Sequence, residues 1–179
     1  ARHGDPHRAV DRARLLADLF NWAALSVGVA GTSGKSTTDG MIGWILHRAG
    51  KRPKIMNGAD MNNFAEQGSP LASRRVGDGN LFVSEVDESD GSIAFFEPRI
   101  AVVNNISLDH KSLDELRSLF RVFIAKADTV VLNLDNAETA ALLGDLRRGQ
   151  AVTYSLRAAQ ADLLASAPVP SPTGIVFQV

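Results

Sequence analysis

Gly28-Val29-Ala30-Gly31-Thr32-Ser33-Gly34-Lys35-Ser36-Thr37 stands between two segments of different period. Before it, Ser26 to Ala30 is short, small and apolar, as a buried strand is. After it, Met41, Ile42, Ile45, Leu46 and Ala49 recur at helical spacing, and Gly50 and Pro53 close the run. The order is therefore strand, glycine loop, helix. Glycines let backbone N–H groups turn inward around phosphate oxygens, and the helix N-terminus adds partial positive charge. This predicts a cradle of Gly31, Thr32, Ser33, Gly34, Lys35, Ser36 and Thr37. Lys35 would meet the β- and γ-phosphates and Ser36 would offer a hydroxyl to Mg²⁺. Lys35 is expected to point out of the core, so that its loss leaves the fold intact. A strict phosphate loop has a glycine five residues before Gly34, where this sequence has Val29, and the nearest glycine, Gly28, is six residues before. The alternative is a plain Gly/Ser turn, against which stands the Gly-Lys-Ser-Thr run opening a helix.

Outward from the loop, strands and helices alternate. Arg8 to Asn21 carries Val10, Ala13, Leu16 and Phe20 on one helical stripe. Lys54–Met56 reads as a short strand, and the polar stretch from Asn57 to Asn80 as loop with at most a short helix. Leu81–Val83 and Ile100–Val103 are compact apolar runs, as in strands covered on both faces of a parallel sheet. Ser112 and Glu115 form a capping box ahead of Leu113, Leu116, Phe120 and Phe123. Thr129–Leu132 is a strand, Asp135–Leu146 a capped helix and Ala151–Tyr154 a strand. Gly174–Val179 is a last strand after a Pro-rich turn. The expectation is an α/β fold: a doubly wound, mostly parallel sheet with helices on both faces.

Length and composition fit this. The 179 residues suit one domain, 45% are hydrophobic, 22% charged, and 7 are proline. A net charge of −1 gives no electrostatic footprint for nucleic acid or an anionic membrane. The absence of cysteine excludes disulfides, thiolate metal sites and a cysteine nucleophile. The polar start, without methionine, reads as a cut or processed end rather than a signal peptide, and a cytoplasmic location is expected.

Two further segments carry chemistry. Leu81-Phe82-Val83-Ser84-Glu85-Val86-Asp87-Glu88-Ser89-Asp90 runs a strand into four carboxylates. Strand C-termini form the ligand crevice of an open α/β sheet, so Glu85, nearest the strand end, is the candidate to face a metal bound to triphosphate. A solvated acidic turn is the plainer alternative. Asn104-Asn105-Ile106-Ser107-Leu108-Asp109-His110 also follows a strand, which makes His110 a possible metal or nucleophile-orienting group. His3, His7 and His47 have no partner pattern and are expected to face solvent.

Together these segments resemble the central, ATP-binding domain of the Mur ligase family. Gly31 to Thr37 is similar to its glycine-threonine-x-glycine-lysine loop, which accounts for the displaced first glycine. Glu85 to Asp90 and Asn105 to His110 are similar to segments of the UDP-N-acetylmuramate:L-alanine ligase branch, as is the helix holding Arg8, Arg12, Leu16 and Leu19. The resemblance implies ATP-dependent amide formation in peptidoglycan precursor synthesis: a substrate carboxylate becomes an acyl phosphate, and an amine displaces phosphate. It implies ATP and Mg²⁺ as cofactors. Lys35, Glu85 and His110 become the catalytic residues, and Ser36, Glu85 and His110 the metal ligands. A UDP-sugar carboxylate and an amino acid or peptide are the implied partners, with no nucleic acid and no membrane. Residues 1–179 would be one central domain, with the family's N-terminal UDP-sugar domain and its C-terminal domain absent. A folylpolyglutamate-synthase-like or cyanophycin-type ligase, a non-catalytic nucleotide-binding module and an unrelated phosphate-loop ATPase or kinase are the alternatives. Val29, where the last of these needs glycine, weighs against it.

Overall fold

The apolar runs become neighbouring strands because each is covered from both sides. The computed structural model describes residues 12–64, 73–108 and 111–179. Helix α1 (Arg12–Asn21) leads into β1 (Leu25–Ala30), the glycine loop and α2 (Lys35–Arg48). Then come β2 (Lys54–Met56), a 3₁₀ turn at Asn62–Phe64, β3 (Arg74–Arg75), β4 (Leu81–Glu85), a 3₁₀ turn at Ser92–Phe95 and β5 (Ile100–Val103). The remainder is α3 (Leu113–Ala125), β6 (Thr129–Asn133), α4 (Ala137–Ala141), β7 (Ala151–Ser155), β8 (Leu163–Leu164), β9 (Ser166–Ser171) and β10 (Gly174–Gln178).

Among the described residues the main sheet runs β3-β2-β4-β1-β5-β6-β7-β8, parallel except for β3. The chain adds strands on one side of β1 as far as β4, then crosses to β5 on the other side. Such a reversal opens a crevice at the strand C-termini, here at the end of β1, flanked by the ends of β4 and β5. One face of the sheet buries Phe82, Ala101, Val103, Val130 and Leu132 under Phe20 of α1 and Phe120, Phe123 and Ile124 of α3. The other buries Val27, Val29, Val83 and Val102 under Ile42 and Leu46 of α2. The doubly wound α/β expectation holds.

Four local readings are corrected. In α2, Met41 and Ile45 are exposed, at 59% and 61%, and the buried positions are Asp39 and Gly43. Small residues let this helix lie close to β2: a Cβ at Gly43 would come 2.6 Å from Ile55 Cδ1. The capped helix expected over Asp135–Leu146 is shorter: α4 is capped by Asn136 and gives way to a 3₁₀ turn at Leu142–Asp145. The Pro-rich stretch is itself β9, which pairs antiparallel with β10 in a separate hairpin. His47 is not simply solvent-facing: its ring lies 5.4 Å from Phe64 and 5.7 Å from Trp44, because the segment after β2 folds back over α2. Residues 8–11 of the first predicted helix, His3 and His7 lie outside the described residues.

Gly28 has a packing reason to be glycine. It sits inside β1, and a Cβ there would come 2.9 Å from Phe123 Cζ. Gly28→Ala is therefore expected to destabilise the chain by about 1–3 kcal/mol through overpacking, as read by urea denaturation, with nucleotide affinity unchanged. Loss of affinity without loss of stability would return Gly28 to the loop. No helix among the described residues is long and apolar enough to cross a membrane.

Candidate phosphate-binding site

β1 ends at Ala30, and the chain must turn at once into α2 against the end of β5. Gly31 makes that turn with φ 144°, and a Cβ there would press within 3.1 Å of the Asn105 carbonyl oxygen. Gly34 caps α2 with φ 75°. Both positions need glycine, for the sign of φ and, at Gly31, for space.

Asn105 templates the loop. Its backbone oxygen accepts from Thr32 N at 3.1 Å, and its side-chain oxygen accepts from Thr32 Oγ1 at 2.8 Å and Ser33 N at 3.0 Å. Its Nδ2 donates to Ser33 O at 3.0 Å. Thr32 Oγ1 in turn accepts from Ser107 N at 3.1 Å, and Asn104 Nδ2 donates to Thr38 Oγ1 at 2.9 Å. The polar segment after β5 therefore holds the loop and the first turn of α2 in place.

Two ion-bearing pairs face this turn. Lys35 Nζ donates to Gly31 O at 2.9 Å and to Glu88 Oε2 at 3.0 Å, with the two side chains only 14% and 5% exposed. Lys35 is thus folded over its own loop, more enclosed than the sequence suggested. Ser36 Oγ donates to Glu85 Oε2 at 2.7 Å, and the same oxygen accepts from Gly58 N at 3.0 Å. The structure brings Gly31 to Ser36 and Glu85 to one mouth. Thr37 turns toward a neighbouring cleft of about 330 Å³ with Met41, Trp44 and Phe64. A second cleft, of about 350 Å³, lies beside Glu85 between Arg12, Met56, Gly58 and Asp90. His110 and Asp109 lie outside the described residues.

The donors at the mouth suit Mg²⁺. That ion takes hard oxygens, commonly one or two protein groups, and completes its shell with water and phosphate. Ser36 Oγ and Glu85 Oε2 are two such oxygens in contact. Among the described residues no group of three His, Cys, Asp or Glu is clustered to hold a metal alone.

Sequence reading missed Glu88, Asn57, Asp39 and the templating role of Asn105. Glu88 was one carboxylate among four, and nothing in its spacing distinguishes it from Asp87 or Asp90. Asp39 lies off the apolar stripe of α2 and carried no signal in the sequence, yet it is fully buried. Burial, then the nearby charge of Glu85, push its carboxyl up to about 8, while a hydrogen bond from Asn57 pulls the other way.

A carboxyl raised in this way contributes stability that is complete below its unfolded value and is lost as pH rises through the folded one. Between pH 5 and 8 the parent should therefore lose up to about 1.4 kcal/mol per pH unit relative to Asp39→Asn. Urea denaturation of both chains across that range measures it, and the comparison cancels every other carboxylate. Parallel curves would mean that Asp39 is ionised throughout.

The model of the Mur ligase middle domain matches residues 29–179. The UDP-N-acetylmuramate–L-alanine ligase of Gloeothece citriformis is 37% identical over 133 residues, covering 72% of this chain and 25% of that protein. The enzyme of the same name from Novosphingobium aromaticivorans is 36% identical over 175 residues, covering 94% of this chain and 35% of that protein. The chain thus spans about a quarter to a third of the length of the curated relatives it matches. In fold it is similar to the UDP-N-acetylmuramate:L-alanyl-gamma-D-glutamyl-meso-diaminopimelate ligase of Neisseria meningitides, with a TM-score of 0.73, 21% identity, and coverage of 92% of this chain and 56% of that one. With a glycine loop at the switch point of its sheet and this match over most of its length, the chain belongs to the Mur ligase family.

Proposed function

We propose that this chain is the ATP-phosphate-binding unit of a carboxylate–amine ligase of peptidoglycan precursor synthesis, acting in the cytoplasm as the middle part of a longer enzyme. The contact that carries the reading is Ser36 Oγ to Glu85 Oε2, 2.7 Å, at the mouth of the Gly31–Gly34 loop beside Lys35. The names of the relatives point to the substrate class, a UDP-sugar joined to an amino acid or peptide, and the family resemblance implies an acyl phosphate between them.

Each side chain has a task there. The loop and the α2 N-terminus present backbone donors to phosphate oxygens, and Asn105 keeps the loop in shape before any ligand arrives. Lys35 exchanges Glu88 for phosphate oxygen, and its charge offsets the charge of the group being transferred. Ser36 and Glu85 would hold Mg²⁺, which neutralises charge on the transferring phosphoryl group. His110 is proposed, on the family resemblance, as a further ligand near the substrate carboxylate.

Calorimetric titration of the 179-residue chain tests the reading. Mg·ATP should bind with Kd of about 1 μM or weaker, and inorganic pyrophosphate should compete. A chain inert to both would overturn it. Affinity far below micromolar would contradict a middle part acting without the rest of its enzyme.

A further inference from the structure

We propose that Asp39 is a positioning residue for the Ser36–Glu85 pair, acting through the side-chain amide of Asn57. The inference rests on the reading of that pair as the metal and phosphate site.

Asp39 lies one turn along α2 from Ser36, on the face packed against the sheet, and is fully buried. An apolar side chain would suit that place better, because burying a carboxyl costs free energy that hydrogen bonds recover only in part. One oxygen, Oδ1, has no hydrogen-bond partner among the described residues. The other, Oδ2, accepts from Asn57 Nδ2 at 2.9 Å. The carboxyl is kept at this cost for one contact.

That contact determines which way the Asn57 amide faces. The same Nδ2 donates its second hydrogen to Ser36 O at 2.8 Å, so both of its hydrogens are directed at α2. Asn57 Oδ1 then faces its own chain and accepts from Ala59 N at 2.9 Å, folding the backbone into a tight turn. Within that turn Gly58 N points at Glu85 Oε2, 3.0 Å away, the oxygen that also receives Ser36 Oγ. The turn is seated tightly, since a Cβ at Gly58 would lie 2.7 Å from that oxygen.

The contacts close on themselves. Ser36 reaches Glu85 by its hydroxyl, Glu85 reaches Gly58, and Asn57 returns to the Ser36 carbonyl. Asp39 lies beneath this ring, touches neither phosphate loop nor Glu85 by hydrogen bond, and supplies the second acceptor that keeps the amide from turning over. Its effect therefore falls on the placing of the two oxygens offered to the metal rather than on the cradle for phosphate. Supporting groups of this kind change metal affinity more than they change the binding of the remaining ligand parts.

The test uses the 179-residue chain as parent, Asp39→Ala and Asp39→Asn. ATP is titrated by calorimetry with Mg²⁺ and again in EDTA, and amide hydrogen exchange is followed at Gly58. Asp39→Ala should lose about 10-fold or more in affinity for Mg·ATP, with metal-free ATP within about 2-fold of the parent. Exchange at Gly58 should quicken. Asp39→Asn keeps an acceptor for Asn57 and should recover both readouts to within about 3-fold. If Asp39→Ala does not fold, Asn57→Ala removes the same link from the other side and should show the same selective loss.

Parent-like Mg²⁺ dependence in Asp39→Ala, or in Asn57→Ala where that stands in, overturns the inference. So does an equal loss with and without Mg²⁺ that Asp39→Asn fails to rescue, which is the mark of general disruption. A parent that gains nothing from Mg²⁺ overturns the metal reading of Ser36 and Glu85 together with this one. A parent that gains, beside variants that gain equally, overturns this one alone.

Discussion

Lys35→Ala is expected to weaken Mg·ATP binding by about 30- to 150-fold, the loss of one or more charge-assisted hydrogen bonds worth about 2–3 kcal/mol. The same change should destabilise the chain, which the sequence did not foretell. Lys35 is 14% exposed and holds Glu88, itself 5% exposed, at 3.0 Å. Removing the cation strands a buried carboxylate, and breaking a buried pair in this way costs about 3–5 kcal/mol. The two effects separate in Lys35→Ala combined with Glu88→Gln, which removes the stranded charge: stability should return while affinity stays low. Urea denaturation and calorimetry in one buffer read both quantities. If Lys35→Ala bound ATP as the parent does, the phosphate-loop assignment would be wrong, whatever its stability.

Glu85→Ala should act on turnover. In a full-length protein with the proposed ligase activity it is expected to lower the rate of ADP release by about 10²–10³-fold, the usual scale for losing one preorganised electrostatic contribution to a transition state, while ATP binding measured in EDTA changes little. The reason lies in what Glu85 Oε2 receives: Ser36 Oγ at 2.7 Å and Gly58 N at 3.0 Å. Without it the Ser36 hydroxyl loses its fixed direction and the turn after β2 loses its seat. The Mg²⁺ concentration giving half-maximal rate should rise in parallel. Unchanged turnover with an unchanged Mg²⁺ requirement would end the metal-site model, even in a chain that still binds nucleotide.

Most of the fold was legible because its signals are local. The compact apolar runs at Ser26–Ala30, Leu81–Val83 and Ile100–Val103 are strands of one sheet, largely buried. The Ser112–Glu115 box caps α3 as expected, with the Ser112 side chain accepting from Glu115 N. Errors fell where distant segments intervene. The apolar stripe along α2 is only partly right: Ile42 and Leu46 face the core while Met41 and Ile45 do not, because the helix is seated at Gly43 against Ile55, a residue of another strand. The Pro-rich stretch hid β9 because its hairpin pairs with β10 at the edge of the structure, where prolines cost few ladder bonds.

For the candidate site, residue type and spacing put forward Lys35, Ser36 and Glu85, which the fold brings to one mouth, because glycine conformation, a helix N-terminus and a strand-end carboxylate are written into short stretches of chain. The amino-acid sequence alone also determined the alternation of strand and helix, and with it the class of fold. Tertiary structure alone decided which partner each of these residues meets. Glu88 rather than a neighbouring acid pairs with Lys35, Asn105 shapes a loop 72 residues away, and Asn57 ties a buried Asp39 to Ser36. Those choices depend on how β2, β4 and β5 are laid beside β1. Sheet order is set by packing summed over the whole chain, and no short window of sequence contains it.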